Sequence, residues 1–292
     1  MPALEVRDPR LHEVVADDPL RRVATGFRFL EGPVWHPVER SLVFSDIPAA
    51  RMSRLSAGGA LSVLRDPSRM ANGNAYDRQG RLLTCEHATS RLVRQEPDGS
   101  LVTLADRFRG RELNSPNDVV VAGDGTIYFT DPAYGRAVPY GVPRSRELPF
   151  CGVYRLGAHG LELLTDDVEG PNGLCLSLDE RHLFVADTER MHIRRFALTE
   201  SGVAGSAVWA RLTGPGTGEP DGLKIDSAGN LFSCGPGGIH VFDPAGSALG
   251  VIRVPEVTAN FTWGDDDMRT LYICASTTLH RFRTRVPGIR AF

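Results

Sequence analysis

The sequence is informative first through what it lacks. No apolar run among its 292 residues is long enough to span a bilayer, and residues 1–22 carry scattered charges in place of a signal-peptide core. A net charge of −3 leaves no strong excess of either sign, which speaks against nucleic acid or an anionic membrane surface as a partner. We therefore expect a soluble cytoplasmic protein that binds neither nucleic acid nor membranes.

The signatures of several common protein classes are also missing. The five cysteines are odd in number and show no Cys-x-x-Cys spacing, and four of them fall inside apolar strand patterns. This distribution predicts reduced, buried thiols and no disulfide framework. The chain has no Gly-x-Ser-x-Gly elbow and no Gly-rich phosphate loop, so serine-hydrolase and nucleotide chemistry are poorly supported.

What the sequence does contain is one pattern written six times. In each copy an oxygen-bearing residue, here called the opener, begins an apolar strand, and a second apolar strand starts ten or eleven residues later. Repeats of this kind, built from short strands with turn signals, are typical of propeller blades. The openers are Glu31, Asn72, Asn117, Asn172, Asp221 and Asn260.

The repeats predict an all-β fold, a six-bladed β-propeller with four-stranded antiparallel blades. A short strand-like segment at 22–26 is expected to complete the last blade, because closing the ring removes exposed sheet edges. The predicted organisation is an N-terminal arm, residues 1–21, followed by a single propeller domain, residues 22–292.

The openers are predicted to converge on the propeller axis. A single Asn-Gly or Asp-Gly at a strand start is more often turn chemistry, since Asn and Asp tolerate a left-handed backbone. Six equivalent polar positions at the most crowded radius would have to share water or an ion, because buried polar groups without partners are costly. Two carboxylates and four amides are hard oxygen ligands that suit a divalent cation, and the absence of His and Cys argues against structural zinc.

The ends of the second strands are expected to return to the same face as the openers. They place a second set of side chains outside the openers, namely Asp46, Glu86, His87, Asp131, Tyr134, Asp187 and Ser276. The insertion at 132–152 begins at this mouth and is a candidate lid. Glu86 and His87 fit an acid–base pair and a solvated turn equally well. Strand alternation assigns Trp35, Phe44, Tyr128 and Phe232 to the core.

At this point the motifs resemble the gluconolactonase/regucalcin family of six-bladed propellers, over roughly residues 20–285. The residues that carry the resemblance are Glu31-Gly-Pro-Val-Trp, Asn114-Ser-Pro-Asn-Asp, Gly170-Pro-Asn-Gly-Leu and Pro220-Asp-Gly-Leu. The resemblance implies a divalent-metal-dependent lactonase. It also implies metal ligands at Glu31, Asn117, Asn172 and Asp221, with Asp221 as the catalytic acid/base.

Two positions depart from the regucalcin branch of that family. Ser115 stands where that branch has Arg, and a sugar-contacting Glu of that branch falls near Tyr134 or Gly135. The Glu86-His87 pair and the 130–134 segment are instead similar to the bacterial gluconolactonase branch. The predicted substrate-binding residues are Asn72, Glu86, His87, Asn114, Asp131, Tyr134 and Asn260.

The predicted function is hydrolysis of a gluconolactone-like sugar lactone with one divalent cation. Calcium is favoured, with zinc, magnesium and manganese as alternatives. Because a carboxylate bound to a dication is a weakened base, Glu86, His87 and Asp131 remain alternatives to Asp221 as the general base. Two other functions stay open. One is a metal-dependent phosphotriesterase or arylesterase, and the other is a non-catalytic, ligand-binding propeller in which the ion stabilises the fold. The sequence does not give the natural lactone or the oligomeric state.

Overall fold

The computed structural model describes residues 3–292, and they form a six-bladed β-propeller with almost no helix. The fold predicted from the repeats is therefore confirmed. No helix in this part of the chain is long or apolar enough to cross a bilayer. Ahead of the first blade lie β1 (Leu4–Val6), α1 (Leu11–Val14) and β2 (Arg21–Thr25).

Each blade is an antiparallel sheet whose innermost strand carries the opener or begins two residues after it. Blade 1 comprises β3 (Leu30–His36), β4 (Ser41–Asp46), β5 (Arg51–Ser56) and β6 (Leu61–Arg65). Blade 2 comprises β7 (Ala71–Tyr76), β8 (Leu82–Glu86), β9 (Arg91–Gln95) and β10 (Leu101–Ala105). A small hairpin of β11 (Arg107–Phe108) and β12 (Arg111–Glu112) leads to blade 3, with β13 (Val119–Val121), β14 (Ile127–Asp131), β15 (Gly152–Gly157) and β16 (Gly160–Thr165).

The second half of the ring repeats this order. Blade 4 comprises β17 (Pro171–Leu176), β18 (His182–Asp187), β19 (His192–Thr199) and β20 (Gly202–Arg211). Blade 5 comprises β21 (Leu223–Ile225), β22 (Leu231–Gly235), β23 (Gly238–Phe242) and β24 (Ala248–Arg253). Blade 6 comprises β25 (Thr258–Gly264), β26 (Thr270–Ala275) and β27 (Thr278–Arg283).

The N-terminal segment completes two blades. β2 pairs antiparallel with β27 and supplies the fourth strand of blade 6, as predicted. β1 pairs with β24 and gives blade 5 a fifth strand, which the sequence pattern did not predict. Between them, α1 buries Leu11 and Val14 against the hydrophobic core of the last blades. The arm is thus bound to the ring through backbone hydrogen bonds and apolar contacts.

The core lies between neighbouring blades, where the second strands place their aromatic side chains. Trp35, Phe44, Tyr128 and Phe232 are all buried, which confirms their assignment to the core. Trp35 stacks on Tyr272 of blade 6, with ring centroids 5.8 Å apart, so the first and last blades are joined by aromatic packing as well. The cysteines are free, and the four in strands are buried, as expected.

The C-terminal residues cross the end of the ring that lies opposite the openers. Ser227 N–H donates to Pro287 O at 2.9 Å, and the Arg78 guanidinium donates to Ala291 O at 2.9 Å. Phe292 packs edge-on against Tyr76. This tail lines a cavity of about 450 Å³ at that end of the axis, which we call the far cavity.

Candidate active site

Strand register shows which openers share one ring. In every blade, the first apolar residue of the second strand pairs with a residue near the end of the first strand, for example Leu42 with Trp35 in blade 1. In blades 1 to 5 the opener lies four residues before that pairing partner. The five openers that obey this rule are Glu31, Asn72, Asn117, Asn172 and Asp221.

Blade 6 departs from the predicted ring by one residue. Leu271 pairs with Trp263, and four residues before Trp263 stands Ala259. Asn260 therefore lies one position further along its strand than the other openers. The cause is the length of the hairpin turn, because eight positions separate Trp263 from Leu271, whereas six or seven separate the paired residues of the other blades.

The five openers in register surround a cavity of about 400 Å³ at one end of the axis, here called the mouth cavity. His87, Tyr134 and Tyr140 form part of its wall, together with Phe29 and Ile47 from the edges of blade 1. The predicted convergence of Glu31, Asn117, Asn172 and Asp221 is thus present in the structure. Asn260 does not line this cavity.

Asn260 belongs to a second layer beneath the openers, together with Asp118. Both residues lie three positions before the pairing partner in their blades, and blades 3 and 6 face each other across the ring. The Asn260 side-chain NH₂ donates to Glu31 Oε2 at 3.0 Å and lies 3.5 Å from Asp118 Oδ2. Asn260 thereby positions the Glu31 carboxylate from below.

The other four blades carry glycine in this second layer, and the structure requires it. A Cβ atom on Gly73 would lie 2.6 Å from Asp118 Oδ1, and one on Gly222 would lie 2.3 Å from Asn260 Cγ. Both distances are below any real contact of such an atom. The glycines leave the room at the axis that the Asp118 and Asn260 side chains occupy.

Three carboxyl groups are crowded at the axis, and their electrostatics reflect it. Burial, followed by repulsion from Asp118, raises the pKa of Glu31 to about 7. Burial, followed by repulsion from Glu31 and Asp118, raises the pKa of Asp221 well above its ordinary value, and burial raises the pKa of Asp118. The cluster therefore resists carrying three negative charges unless a positive charge lies beside it.

The one positive side chain near these carboxyls is Lys224, the single lysine of the chain. Its charge favours ionisation of Glu31 and Asp118. Lys224 lines the far cavity and not the mouth cavity, so it acts on the carboxyls from below. The single Lys224 ammonium can balance only one of the three carboxylates. Within the described residues, the other two carboxylates have no cationic side chain beside them.

The amide of Asn72 is oriented by a histidine and, through it, by the insertion in blade 3. The Asn72 side-chain NH₂ lies 3.1 Å from His87 Nε2, and His87 Nδ1 lies 2.8 Å from Tyr140 O. A proton on Nδ1 satisfies both contacts, because Nδ1–H donates to the carbonyl and Nε2 accepts from the amide. Burial lowers the pKa of His87 to about 4, so the ring is neutral. Asn72 Oδ1 is left buried without a hydrogen-bond partner.

The amide of Asn172 is fixed by the next blade. Its NH₂ group donates to Thr188 Oγ1 at 3.2 Å, and the Thr188 hydroxyl donates to Pro220 O at 2.6 Å. Since Pro220 directly precedes Asp221, this chain of hydrogen bonds ties the openers of blades 4 and 5 together. It also turns the Asn172 carbonyl oxygen away from Thr188.

The insertion at 132–152 covers one side of the mouth, as its starting point suggested. The Ser115 hydroxyl donates to Pro132 O at 2.5 Å and accepts from Gly135 N–H at 3.0 Å. The insertion contributes Tyr134, in a 3-10 helix at Tyr134–Arg136, and Tyr140 to the cavity wall. Serine at 115, where the regucalcin branch has arginine, thus serves to hold this segment.

A set of acidic residues outside the openers uses its carboxylates to bind backbone. We call Asp46, Asp131 and Asp187 the outer aspartates. Each accepts two backbone N–H groups located two and three residues before the opener of its own blade. For Asp131 these donors are Asn114 at 2.8 Å and Ser115 at 2.7 Å. The outer aspartates therefore shape the loops that lead to the mouth.

Besides Asn260, three predicted substrate-binding residues have structural partners and do not line the mouth cavity. Glu86 is fully buried, and its carboxylate meets Arg91 at 2.7 Å and Arg65 at 3.4 Å. Asn114 donates to Phe150 O at 2.9 Å, and Asp131 binds the backbone as described. Of the alternative general bases, only His87 reaches the cavity, and both of its ring nitrogens are engaged.

The described residues fit a divalent cation, although their carboxylates alone do not form a site. No group of three or more His, Cys, Asp or Glu side chains between residues 3 and 292 has an arrangement suited to a metal ion. A cation in the mouth would need the amide oxygens of Asn117 and Asn172 beside Glu31 and Asp221. Such a set of hard oxygens suits a cation of the calcium type, and it would relieve the repulsion that raises the pKa values of both carboxyls.

Sequence reasoning missed Asp118, Lys224, Thr188 and Glu219, the last of which also lines the mouth. A signal existed for Asp118: four openers are followed by glycine, whereas Asn117 is followed by aspartate. The role of Thr188 depends on a contact between blades. No local pattern indicates such a contact.

Comparison with known proteins agrees with this geometry. Residues 29–277 match the family model described as SMP-30/Gluconolactonase/LRE-like region. The chain is 31% identical to a gluconolactonase from Zymomonas mobilis, over 96% of this chain and 85% of that protein. The crystal structure of a gluconolactonase from Xanthomonas campestris superimposes with a TM-score of 0.90 at 34% identity, covering 97% of this chain and 94% of that one.

A more distant neighbour shares the fold. A calcium-binding protein, regucalcin, from Agrobacterium tumefaciens superimposes with a TM-score of 0.78 at 18% identity, over 93% of this chain and 96% of that one. The family match spans the four consecutive strands of each of blades 1 to 5 and two strands of blade 6, and the openers that line the mouth all fall within it. The chain belongs to the SMP-30/gluconolactonase/LRE-like family.

Proposed function

We propose that this protein hydrolyses a sugar lactone in the mouth cavity, using a divalent cation held by Glu31, Asn117, Asn172 and Asp221. The observation that carries the proposal is the arrival of five oxygen-bearing openers from five blades at one cavity, with an excess of acidic groups. The names of the family relatives, gluconolactonases, support the lactone as substrate. Calcium is the proposed cation because the donors are all oxygens, and a regucalcin of the same fold is named as calcium-binding.

The cation would supply Lewis-acid stabilisation of the negative charge that develops on the lactone carbonyl oxygen. Asp221 is assigned as the general base that accepts the proton of the attacking water. Without a counter-charge the raised pKa of Asp221 favours its protonated form, and a protonated carboxyl is no base. Positive charge in the mouth therefore converts Asp221 to the form that can act.

The neutral amides position the substrate. Asn72 faces the cavity with its NH₂ group held by His87, which leaves Oδ1 without a partner inside the protein. That oxygen can accept a hydrogen bond from a substrate hydroxyl, and such a bond would satisfy an otherwise costly buried group. Tyr134 and Tyr140 narrow the mouth and limit the access of water to the reacting bond.

The test is a pH-indicator assay with D-glucono-1,5-lactone on protein stripped of metal, with calcium, zinc, magnesium or manganese added back. Turnover that returns with a cation, together with cation binding seen by calorimetry, supports the proposal. A parallel assay with aryl esters and phosphotriesters examines the other hydrolytic activities. Cation binding that raises Tm while no ester or lactone is cleaved would show a structural ion in a non-catalytic propeller.

A further inference from the structure

The mouth cavity has an unusual balance of charge for a site that handles sugar derivatives. Its lining includes three acidic side chains, Glu31, Asp221 and Glu219, and no arginine or lysine from residues 3–292. His87 adds no charge, because its ring is buried, neutral and engaged at both nitrogens. A dication on Glu31 and Asp221 would neutralise those two carboxylates and leave Glu219 as the net charge of the lining.

The three acidic groups differ in depth. Glu31 and Asp221 are openers on the cavity floor, whereas Glu219 is exposed and stands two residues before Asp221, on the loop that leads into blade 5. A substrate whose lactone carbonyl reaches the floor would direct its far end towards this rim. Glu219 is therefore placed to interact with the substituent that is most distant from the scissile bond.

The arginines around the insertion do not compensate for this charge. Arg136 donates to Asn114 O at 2.7 Å and to Glu112 Oε2 at 2.7 Å. Arg144 donates to His87 O at 2.9 Å and to the Ser90 hydroxyl. Neither guanidinium lines the mouth cavity, because both are used to hold the insertion against blade 2.

The wall next to Glu219, on the side of blades 6 and 1, is apolar. Phe29, Ile47 and Val257 come from the blade 1 and blade 6 side, and Tyr140 packs edge-on against Phe29 with ring centroids 4.9 Å apart. An anionic substituent turned away from Glu219 would meet this surface and lose its hydration without gaining a partner. Neither Glu219 nor this apolar wall offers a favourable position for a negative charge.

We propose that the site selects uncharged lactones and rejects lactones that carry a phosphate, sulfonate or carboxylate substituent, with Glu219 as the residue that sets this selection at the rim. This inference rests on the proposed function and specifies its substrate class. Selection of this kind depends on repulsion between like charges and on the cost of burying a charge without a partner. Both effects discriminate between substrates more strongly than a difference in substrate size does.

The experiment compares kcat/KM for D-glucono-1,5-lactone with that for its 6-phosphate ester, using the cation-loaded protein. The wild type is expected to favour the neutral lactone by about tenfold, since the carboxylate of Glu219 at the rim repels a like charge. Glu219→Gln removes the charge at constant size and should reduce the preference for the neutral lactone about fivefold. Glu219→Lys reverses the charge and should reduce this preference about tenfold or more, because attraction at the rim then replaces repulsion.

The matched control is Glu200→Lys, which makes the same change of net charge at an exposed turn of blade 4 outside the cavity lining. It should leave the preference within about twofold of the wild type, and high salt should shrink the effect of Glu219→Lys, because exposed charges are screened. Tm of each variant monitors folding.

Three results would overturn the inference. The first is a wild type that cleaves both lactones at similar kcat/KM. The second is a preference that responds equally to the substitutions at 219 and 200. The third, cation-loaded protein that cleaves neither lactone, would remove the proposed function itself and the selection with it, and it is distinguished from the other two by the missing turnover of the neutral lactone.

Discussion

Two sets of acidic residues surround the same mouth, and they differ in what their oxygens already do. Glu31 and Asp221 face the cavity, with few donors and a repulsive neighbour. The outer aspartates each bind two backbone N–H groups, and Glu86 is paired with arginines. An acidic residue near an active site is thus a candidate for chemistry only where its oxygens remain unsatisfied. The two sets should respond to neutralisation in opposite ways.

The largest effect is expected for Asp221→Asn. Loss of the general base, and of one cation ligand, should lower kcat by about 10³-fold. Tm of the cation-free variant should stay at or above that of the wild type, because the substitution removes a buried carboxyl that Glu31 and Asp118 repel.

The control is Asp226→Asn, in the turn at the other end of the same blade. Asp226 binds the backbone of Ala228 and Asn230 at 2.9 Å, so its loss should lower Tm and leave kcat per folded molecule near the wild-type value. Equal turnover in the wild type and in Asp221→Asn would refute the role of Asp221.

Neutralising an outer aspartate should lower stability and not activity. Asp131→Asn keeps the shape but leaves one of the Asn114 and Ser115 N–H groups without an acceptor, which should cost about 1–3 kcal/mol in the free energy of unfolding. Burial raises the pKa of Asp131 to about 7, so the wild type loses stability as the pH rises from the ordinary carboxyl range through 7. The variant lacks that loss, and the difference between the two should narrow with increasing pH in urea denaturation.

The control for Asp131 is Asp124→Asn, an exposed turn residue of the same blade that accepts one N–H from Thr126. Its substitution should change stability much less. A large fall in kcat for folded Asp131→Asn would place Asp131 in the reaction after all.

Cation binding should depend on pH because it competes with protons. Burial and Asp118 raise the pKa of Glu31 to about 7 in the cation-free protein. Calcium affinity should then be at least about tenfold weaker at pH 6 than at pH 8, because displacement of the Glu31 proton alone gives that factor and the raised pKa of Asp221 adds to it. Ionisation of Glu31 destabilises the cation-free fold as the pH rises through 7, so the rise in Tm on adding calcium should grow over the same range. Calorimetric titrations at both pH values test this, and an affinity that is constant across them would contradict it.

The smallest effect is expected for His87→Phe. The change keeps a planar ring but removes the acceptor that orients Asn72 and the donor to Tyr140 O, at a cost of about 1 kcal/mol, or roughly fivefold in kcat/KM, mainly through KM. His240→Phe is the matched control, because His240 is also buried with a pKa lowered to about 4 but lies outside the mouth. A fall in kcat of about 100-fold or more in His87→Phe would instead indicate direct acid–base catalysis.

The fold and most of the site could be predicted from the sequence because both depend on a periodic signal. Glu31, Asn72, Asn117, Asn172 and Asp221 begin strands that end in turns of similar length, so their register follows from counting. Asn260 could not be placed this way, because the turn between Trp263 and Leu271 is longer than those of the other blades, and the hydrophobic pattern does not show it.

Other features depend on contacts that the periodic signal does not contain. The strand β1 has only three residues, and its partner β24 is 242 residues or more away in sequence, so nothing local predicts the pairing. The positions of Glu86 and Asp131 at strand ends suggested functional carboxylates. In the structure these carboxylates bind Arg65, Arg91 and the loop backbone, and these partners come together only in the folded chain.

The closure of blade 6 has a consequence for how the protein is made. Its outermost strand, β2, is synthesised first and its partner β27 last, so a nascent chain cannot finish the ring until almost all of it has left the ribosome. Glu31 in the first blade and Asp221 in the fifth line one cavity, and blade 6 lies between these two blades in the closed ring. Truncated chains should therefore contain most of the blades and yet be unable to bind the cation.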